Sequence, residues 1–344
     1  VINIMIAAIV GLITSALGTP LAIRRFRRRG WGQLIREEGP KAHYEKRGTP
    51  TMGGLVILLG AVLGYLIAHF GRADFTDSGL LALGTILALG VLGFLDDFIK
   101  IYKSRSLGLH SRAKFLGQMV IAGVFGVLAV KAVGIGTDIS FFRSTALDLG
   151  VFFYLWVFLM IAASSNGVNL TDGLDGLAVG SVAQVLGAFV VVAFWQFRHE
   201  PFYEWAATGS DPFDLAILAA ALFGACSGFL WWNTAPAKIF MGDTGSLMLG
   251  GSLAVFAILL NTQLLLLVLG GLYVVETLSV IAQVVFFKRT GRRILLMAPI
   301  HHHFELAGWA EFTVIVRFWV LSMLSVAFGI GLFYADFLSK GFFR

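Results

Sequence analysis

Long apolar stretches, separated by short polar segments, run from one end of the chain to the other. Ten of them are long enough to cross a bilayer, which takes about 20 apolar residues as a helix. They are 2–23, 52–70, 78–97, 114–134, 148–165, 178–196, 214–232, 246–261, 264–286 and 313–337. They are unbroken rather than alternating, so they read as helices and not as barrel strands. The expected fold class is all-α: a polytopic integral membrane protein of about ten transmembrane helices. The division between the eighth and ninth spans rests on Asn261, Thr262 and Gln263 alone. If these do not form a turn, the count and every later orientation change. No internal repeat, low-complexity tract or soluble appended domain is visible, so residues 1–344 are expected to form a single transmembrane domain. The first span has no basic residue ahead of it and a dense basic cluster behind it, unlike a cleavable signal.

Composition agrees with this pattern. The chain is 58% hydrophobic and 13% charged, where a soluble domain carries roughly 45–50% and about 25%. It has too little charge to coat a water-facing surface of its size. One cysteine excludes a disulfide scaffold, a Cys-based zinc site and an iron–sulfur cluster.

Charge then sets the orientation. Of the 26 Lys and Arg, 20 fall in the segments 24–51, 98–114, 166–177, 233–245 and 287–317. The positive-inside rule makes these loops cytoplasmic and both termini extracytoplasmic. The net charge of +6 is mostly this orientation signal, with attraction to anionic membrane lipids added. No nucleic-acid partner is implied.

The unusual polar residues share the basic side: KRGTPTMGG at 46–54, LDDFIK at 95–100, NGVNLTDGLDG at 166–176, FMGDTGS at 240–246 and APIHHHFE at 298–305. Clustering on one face suggests one site assembled from many loops. Asp96 and Asp97 end an apolar span, where the helix dipole disfavours acids. A solvated helix end with an ordinary Asp96–Lys100 ion pair competes with a carboxylate pair held for a cation or a proton. Asn169, Asp172 and Asp175 recur every third residue among three glycines. An N-cap explains Asp175 but not the whole loop. Asp243 lies in a glycine-flanked turn that opens a helix, a setting suited to phosphate. It either caps that helix or holds a metal that bridges to the phosphate. His301, His302 and His303 are adjacent, which suits hydrogen bonding to phosphate better than a tetrahedral zinc, and Pro299 argues that they lie in a loop. Glu276 is the one acid well inside a span. It is expected to be hydrogen-bonded while neutral or to face a watery groove, and its replacement by Gln to leave most activity.

These five strings, in this order over ten spans, resemble the phospho-N-acetylmuramoyl-pentapeptide transferase family, within the wider group of polyprenyl-phosphate N-acetylhexosamine-1-phosphate transferases. The resemblance covers essentially the whole chain. It implies transfer of phospho-MurNAc-pentapeptide from UDP to undecaprenyl phosphate, giving lipid I and UMP, with Mg²⁺, in peptidoglycan synthesis at the bacterial cytoplasmic membrane. It implies Asp96, Asp97, Asp243, His301 and His302 as catalytic, with Asp243 the main metal ligand and Asp96, Asp97 and Asp172 as further candidates. Substrate binding falls to Lys46, Thr51, Lys100, Lys114, Asn169, Asp172, Asp175, Phe240, Gln283 and His303, with Asp175 and Phe240 at the uracil. Homodimers are implied as well. A sibling transferase using UDP-GlcNAc is the alternative among enzymes. A lipid or solute transporter is the alternative of another class, but a transporter should place its charges near the membrane midplane, where this chain has only Glu276.

Overall fold

The computed structural model describes residues 1–32, 46, 48–70, 74–103, 108–203, 205 and 209–341. Parts of the loops 24–51 and 98–114, Arg47 of the KRGTPTMGG string among them, lie outside the described residues.

Each expected span is occupied by a helix. In chain order the long helices are α1 (Ile2–Arg28), α2 (Gly54–His69), α3 (Asp77–Tyr102), α4 (Ser111–Leu128, continued by a π-helical turn, Ala129–Val133), α5 (Phe152–Thr171) and α6 (Leu177–Arg198). After the short α7 (Glu200–Tyr203) come α8 (Pro212–Asn233) and α9 (Gly242–Leu259), then the five-residue α10 (Leu265–Leu269) and α11 (Gly271–Thr290). A short α12 (Ile300–Leu306) precedes α13 (Glu311–Gly341). Among the described residues nine helices are long and apolar enough to cross a membrane, and α2, at 16 residues, is a shorter apolar one. Strands β1 (Asp138–Ser140) and β2 (Ser144–Asp148) pair antiparallel between α4 and α5, a small departure from an all-α fold.

The doubtful division at 261–263 is a genuine turn. Helix α9 stops at Leu259 and Asn261 takes a left-handed φ of 52°. Gln263 then fastens the turn to the hairpin end of the bundle. Its side chain accepts from Trp156 Nε1 (2.8 Å) and its N–H donates to Ser140 Oγ (3.3 Å). The ninth span is itself divided, with Gly270 separating α10 from α11.

Helix α9 is the centre of the molecule. Every residue from Thr244 to Leu259 is buried, as expected for a helix that is apolar all round. Small residues let its neighbours come close. Gly93 of α3 lies against the Asp243 carbonyl, Gly54 of α2 against Gly245, and Gly250 of α9 against Ser164 and Ser165 of α5. On α1 the buried positions Ala7, Gly11, Ser15, Thr19 and Ile23 recur every fourth residue, a small-residue stripe that seats the helix on α2 and α8. The outer faces expose residues such as Leu17, Leu21 and Phe328, as expected of surfaces that meet lipid tails rather than water.

The two ends of the bundle differ. At the hairpin end, Asp214 of α8 accepts from Tyr65 Oη (3.0 Å) and from the N–H and Oγ1 of Thr76 (3.0 and 2.6 Å), and lies 3.0 Å from His69 Nε2. This pins α2, α3 and α8 together. Arg143 Nε lies 3.5 Å from Asp336, and Tyr203 stacks on Phe333. The far end of α13 is therefore at this end, and so is the start of α1, whose Ala7 and Ala8 carbonyls lie against Gly64 of α2 and Gly224 of α8. The LDD, NLTDGLDG and MGDTG segments come together at the other.

Candidate active site

The C-terminus of α3 and the N-terminus of α9 build the centre of the site. Two adjacent acids are unfavourable at the end of α3, but one of them serves another helix. Asp97 accepts the N–H of Asp243 (3.1 Å), the N–H of Thr244 (2.9 Å) and Oγ1 of Thr244 (2.8 Å). It thus caps α9 from outside, satisfying first-turn donors that have no partner within their own helix. Asp243 is consequently not the cap of α9. The turn that makes this possible needs Gly242, whose φ is +70° and where a Cβ would run into Asp97 Oδ2 and lie 2.9 Å from Thr51 Oγ1.

Around this joint the remaining acids and cations converge. Lys100 Nζ lies 2.6 Å from Asp96 Oδ2, 2.8 Å from Asp243 Oδ2 and 3.5 Å from Asp97 Oδ1. The i,i+4 pair with Asp96 exists, but Lys100 serves three carboxylates rather than one. Lys114 Nζ adds a second cation to Asp243 Oδ2 (2.8 Å), and Asn169 Nδ2 donates to Asp243 Oδ1 (2.8 Å). Asp96 also accepts the N–H of Leu109 (2.9 Å). Asp172 ends α5 with no side-chain hydrogen-bond partner among the described residues. Burial first, then repulsion from Asp243, Asp97 and Asp175, pushes its carboxyl well above the usual range, and Lys100 offsets this only in part.

This gathering of carboxylate oxygens could hold a metal ion. Ligand atoms of Asp96, Asp97 and Asp243 lie within 4.8 Å of one another. Asp97 is committed to capping, so Asp243 and Asp96 are the carboxylates best suited to a metal, with the unpartnered Asp172 beside them. Magnesium takes oxygen ligands and usually keeps several waters, so one or two carboxylates suffice.

A second ion group borders the first. Lys46 Nζ bridges Asp175 Oδ1 (2.8 Å) and Glu311 Oε1 (2.5 Å). Burial alone would lower the lysine's pKa, but these two carboxylates outweigh it and hold the ammonium above its ordinary value. Asp175 also accepts the N–H of Ala237 (2.8 Å). It ties three loops together and does not cap α6, whose cap is Gly176. Thr51 is buried beside Gly242. Phe240 is half-buried, its N–H donating to Pro50 O (2.8 Å) and its carbonyl accepting from Gly53 (2.9 Å). These bonds fix the KRGTPTMGG and FMGDTGS segments side by side.

The histidines lie on a helix, not in a loop. Pro299 immediately precedes α12, a position where the missing N–H costs nothing. Nδ1 of His301 lies 3.0 Å from Glu276 Oε1 and Nδ1 of His302 2.6 Å from Glu305 Oε2. Both Nε2 atoms converge on Gly173, where a Cβ would strike His301 Nε2 and lie 3.0 Å from His302 Nε2. His303 turns elsewhere, its Nδ1 accepting the Leu296 N–H (3.1 Å). Gln283 Oε1 accepts the N–H groups of Ile294 and Leu295 (3.0 Å each). These two residues shape the 291–299 loop and make no hydrogen bond to the acidic cluster. Glu276 is hydrogen-bonded as expected, yet its partner is a site residue. Glu311, Glu305 and Thr244 acquire a role only through these contacts. An acid alone inside a span was a usable signal for Glu276; Glu311 and Glu305 offered none.

Comparison with known proteins bears on this arrangement directly. A family model described as Glycosyl transferase family 4 matches residues 79–261. A signature described as phospho-N-acetylmuramoyl-pentapeptide-transferase signature 1 matches residues 46–58. A phospho-N-acetylmuramoyl-pentapeptide-transferase of Frankia casuarinae is 58% identical over 98% of this chain and 99% of its own length. The chain belongs to the phospho-N-acetylmuramoyl-pentapeptide-transferase family. Proteins of the same name from Saccharopolyspora erythraea and Streptomyces griseus are 53% and 49% identical, again over 98% of this chain. In this transferase the signature at 46–58 carries Lys46 and Thr51, and the family match at 79–261 spans Asp96, Asp97, Asp172 and Asp243.

Proposed function

We propose that the protein transfers phospho-MurNAc-pentapeptide from its UDP donor to undecaprenyl phosphate, releasing UMP and forming lipid I for peptidoglycan synthesis. The observation that carries this reading is the convergence of Asp96, Asp172 and Asp243 with Lys100 and Lys114 at one end of an apolar helix bundle. One substrate is a lipid and the other dissolves in water, so their phosphates can meet only at such an end. The bias of Lys and Arg toward the same loops supports a cytoplasmic site, with both termini on the far side. Residues 1–344 would act as one transmembrane domain.

Phosphoryl transfer is largely positioning and charge neutralisation. Asp243, with Asp96 and Asp172 near it, would hold Mg²⁺. When bound, the ion neutralises the pyrophosphate of the donor and the charge that grows on the departing UMP. Lys100 and Lys114 reduce repulsion between the two phosphates, and Lys46, fixed by Asp175 and Glu311, is at hand for a further anionic group. Phe240, by stacking, and Asp175 would receive the uracil. His301 and His302 direct Nε2 over Gly173 toward the same loop as Asp172. Gln283 and His303 would serve the substrate through the 291–299 loop they hold.

The acceptor phosphate, with a second pKa of about 6, is already largely ionised at neutral pH. It attacks the sugar-bearing phosphorus, and the bond to the bridging oxygen breaks as UMP leaves. Asp97 is occupied by three donors and Asp96 by Lys100 and the Leu109 N–H, which favours direct attack over a covalent aspartyl-phosphate. Asp96 then orients the acceptor. In single-turnover experiments the donor alone should release no UMP. Stoichiometric release without acceptor, with a labelled enzyme lost in Asp96→Asn, would overturn direct attack.

A further inference from the structure

Glu276 and His301 are both fully buried, 3.0 Å apart. Glu276 comes from α11 and His301 from α12, and the pair reaches the site through the ring alone, its Nε2 directed at Gly173 of the loop that carries Asp172. That Nε2 has no hydrogen-bond partner among the described residues. A polar ring atom buried without a partner, yet pointed into the site, is a group waiting for a substrate atom. What it offers depends on where the protons of the pair reside.

Net charge is costly to bury in a span, so the pair is held electrically neutral as a unit. Three arrangements satisfy this. Either Glu276 is ionised and His301 carries protons on both nitrogens, or Glu276 is protonated and donates to Nδ1, and in both of these Nε2 bears a hydrogen. In the third, protonated Glu276 accepts from Nδ1–H through Oε1 and Nε2 is bare, but the acid hydroxyl then falls on Oε2, which is buried and has no partner among the described residues. An orphaned buried hydroxyl donor costs more than the first two arrangements do, and neutral His301 with Nδ1–H beside an ionised Glu276 would leave an uncompensated buried charge. We propose that Glu276 is a positioning residue of the transfer reaction, holding His301 as an Nε2–H donor aimed at an anionic phosphate oxygen of the substrates. This rests on the transferase reading for the identity of the oxygen, but not for the proton itself. His302 is the natural contrast: its Nδ1 faces Glu305 one turn along the same helix, and that pair is partly exposed, so burial does not dictate its protonation.

Glutamine at 276 keeps the shape of the side chain but releases the constraint. Its carbonyl can accept from Nδ1–H, or its amide can donate to Nδ1, so His301 is free to take either tautomer. The test is nitrogen-15 NMR of histidine-labelled protein, with His301 identified by its loss in His301→Gln. The expected result is a protonated Nε2 in the unsubstituted chain and a mixture of tautomers in Glu276→Gln, with thermal unfolding unchanged. An unprotonated Nε2 in the unsubstituted chain would overturn the proposal, whether or not the protein transfers anything. The activity readout is a double-substitution cycle. Glu276→Gln alone should lower kcat by roughly tenfold or more with a smaller change in KM. It should have no further effect once His301→Gln is present, while multiplying with His302→Gln. Full activity in Glu276→Gln, or independent multiplication with His301→Gln, would show that Glu276 does not act through His301. Absence of transfer in the unsubstituted chain would count against the transferase reading and leave the NMR result to decide this one.

Discussion

At the scale of single residues, the three aspartates of the centre have different work. Asp97 supports α9 and Asp243 faces the cations, so their substitutions should separate. Asp97→Ala leaves the Asp243 and Thr244 donors without a buried partner, a loss of about 1–3 kcal/mol. It should lower thermal stability and activity together. Asp243→Asn should abolish Mg²⁺-dependent turnover with a smaller loss of thermal stability, since the amide keeps the shape of the side chain and gives up only its ion pairs with Lys100 and Lys114. Thermal shift and UMP release on both variants check this, and an unchanged melting temperature in Asp97→Ala would contradict the capping role. Asp172 gives a pH signature. Its carboxyl titrates higher in the folded protein than in the unfolded chain, so the folded state binds the extra proton. From about pH 4 upward this group removes stability until its raised pKa is passed. Without metal, the advantage of Asp172→Asn over the natural chain should therefore widen from pH 4.5 to pH 8. A gap that stays constant or closes with rising pH would contradict the shift.

Among the elements, the long helices were legible because each needs an apolar run as long as the bilayer is thick. The turn at Asn261 was legible as three polar residues between two such runs. Three things were not. The hairpin of Asp138–Asp148 has no alternating apolar pattern, as β2 is exposed throughout. Pro299 carries the same signal before a helix as within a loop, so the sequence does not distinguish α12 from irregular chain. The capping of α9 by Asp97 joins residues 146 apart in sequence, and only tertiary packing brings them together. That joint depends on backbone at Gly242, so Gly242→Ala should cost several degrees of thermal stability and most activity. Gly84→Ala, in α3 where a Cβ meets nothing within 4 Å, should be neutral or mildly stabilising, since alanine favours the helix. Equal behaviour of the two variants would remove the special status of the 242 turn.

On the scale of the whole molecule, the motifs disclosed one shared site before any contact was known, because five polar strings fell on the basic side of an otherwise apolar chain. The partners that make the site work were hidden. Glu311, the partner of Lys46, is an ordinary acid in sequence, and Glu276, though marked by its isolation within a span, meets its partner His301 only where α11 and α12 pack together. Architecture and charge bias together predict sidedness. The start of α1 and the end of α13 lie at the hairpin end, opposite the acids, so a reporter active only in the cytoplasm and fused after Arg344 should be silent. Cytoplasmic signal there would invert the assignment of the site.

The central claim is that the acids and lysines at the other end transfer a phospho-sugar between two phosphates with the help of Mg²⁺. The most direct measurement is UMP release by purified protein given UDP-MurNAc-pentapeptide and undecaprenyl phosphate, with and without Mg²⁺, beside the same assay with UDP-GlcNAc. The account predicts UMP and lipid-linked product in equal amounts with the pentapeptide donor, lost on chelation and in Asp243→Asn. Turnover that persists in Asp243→Asn or without divalent metal, or that prefers UDP-GlcNAc, would contradict it.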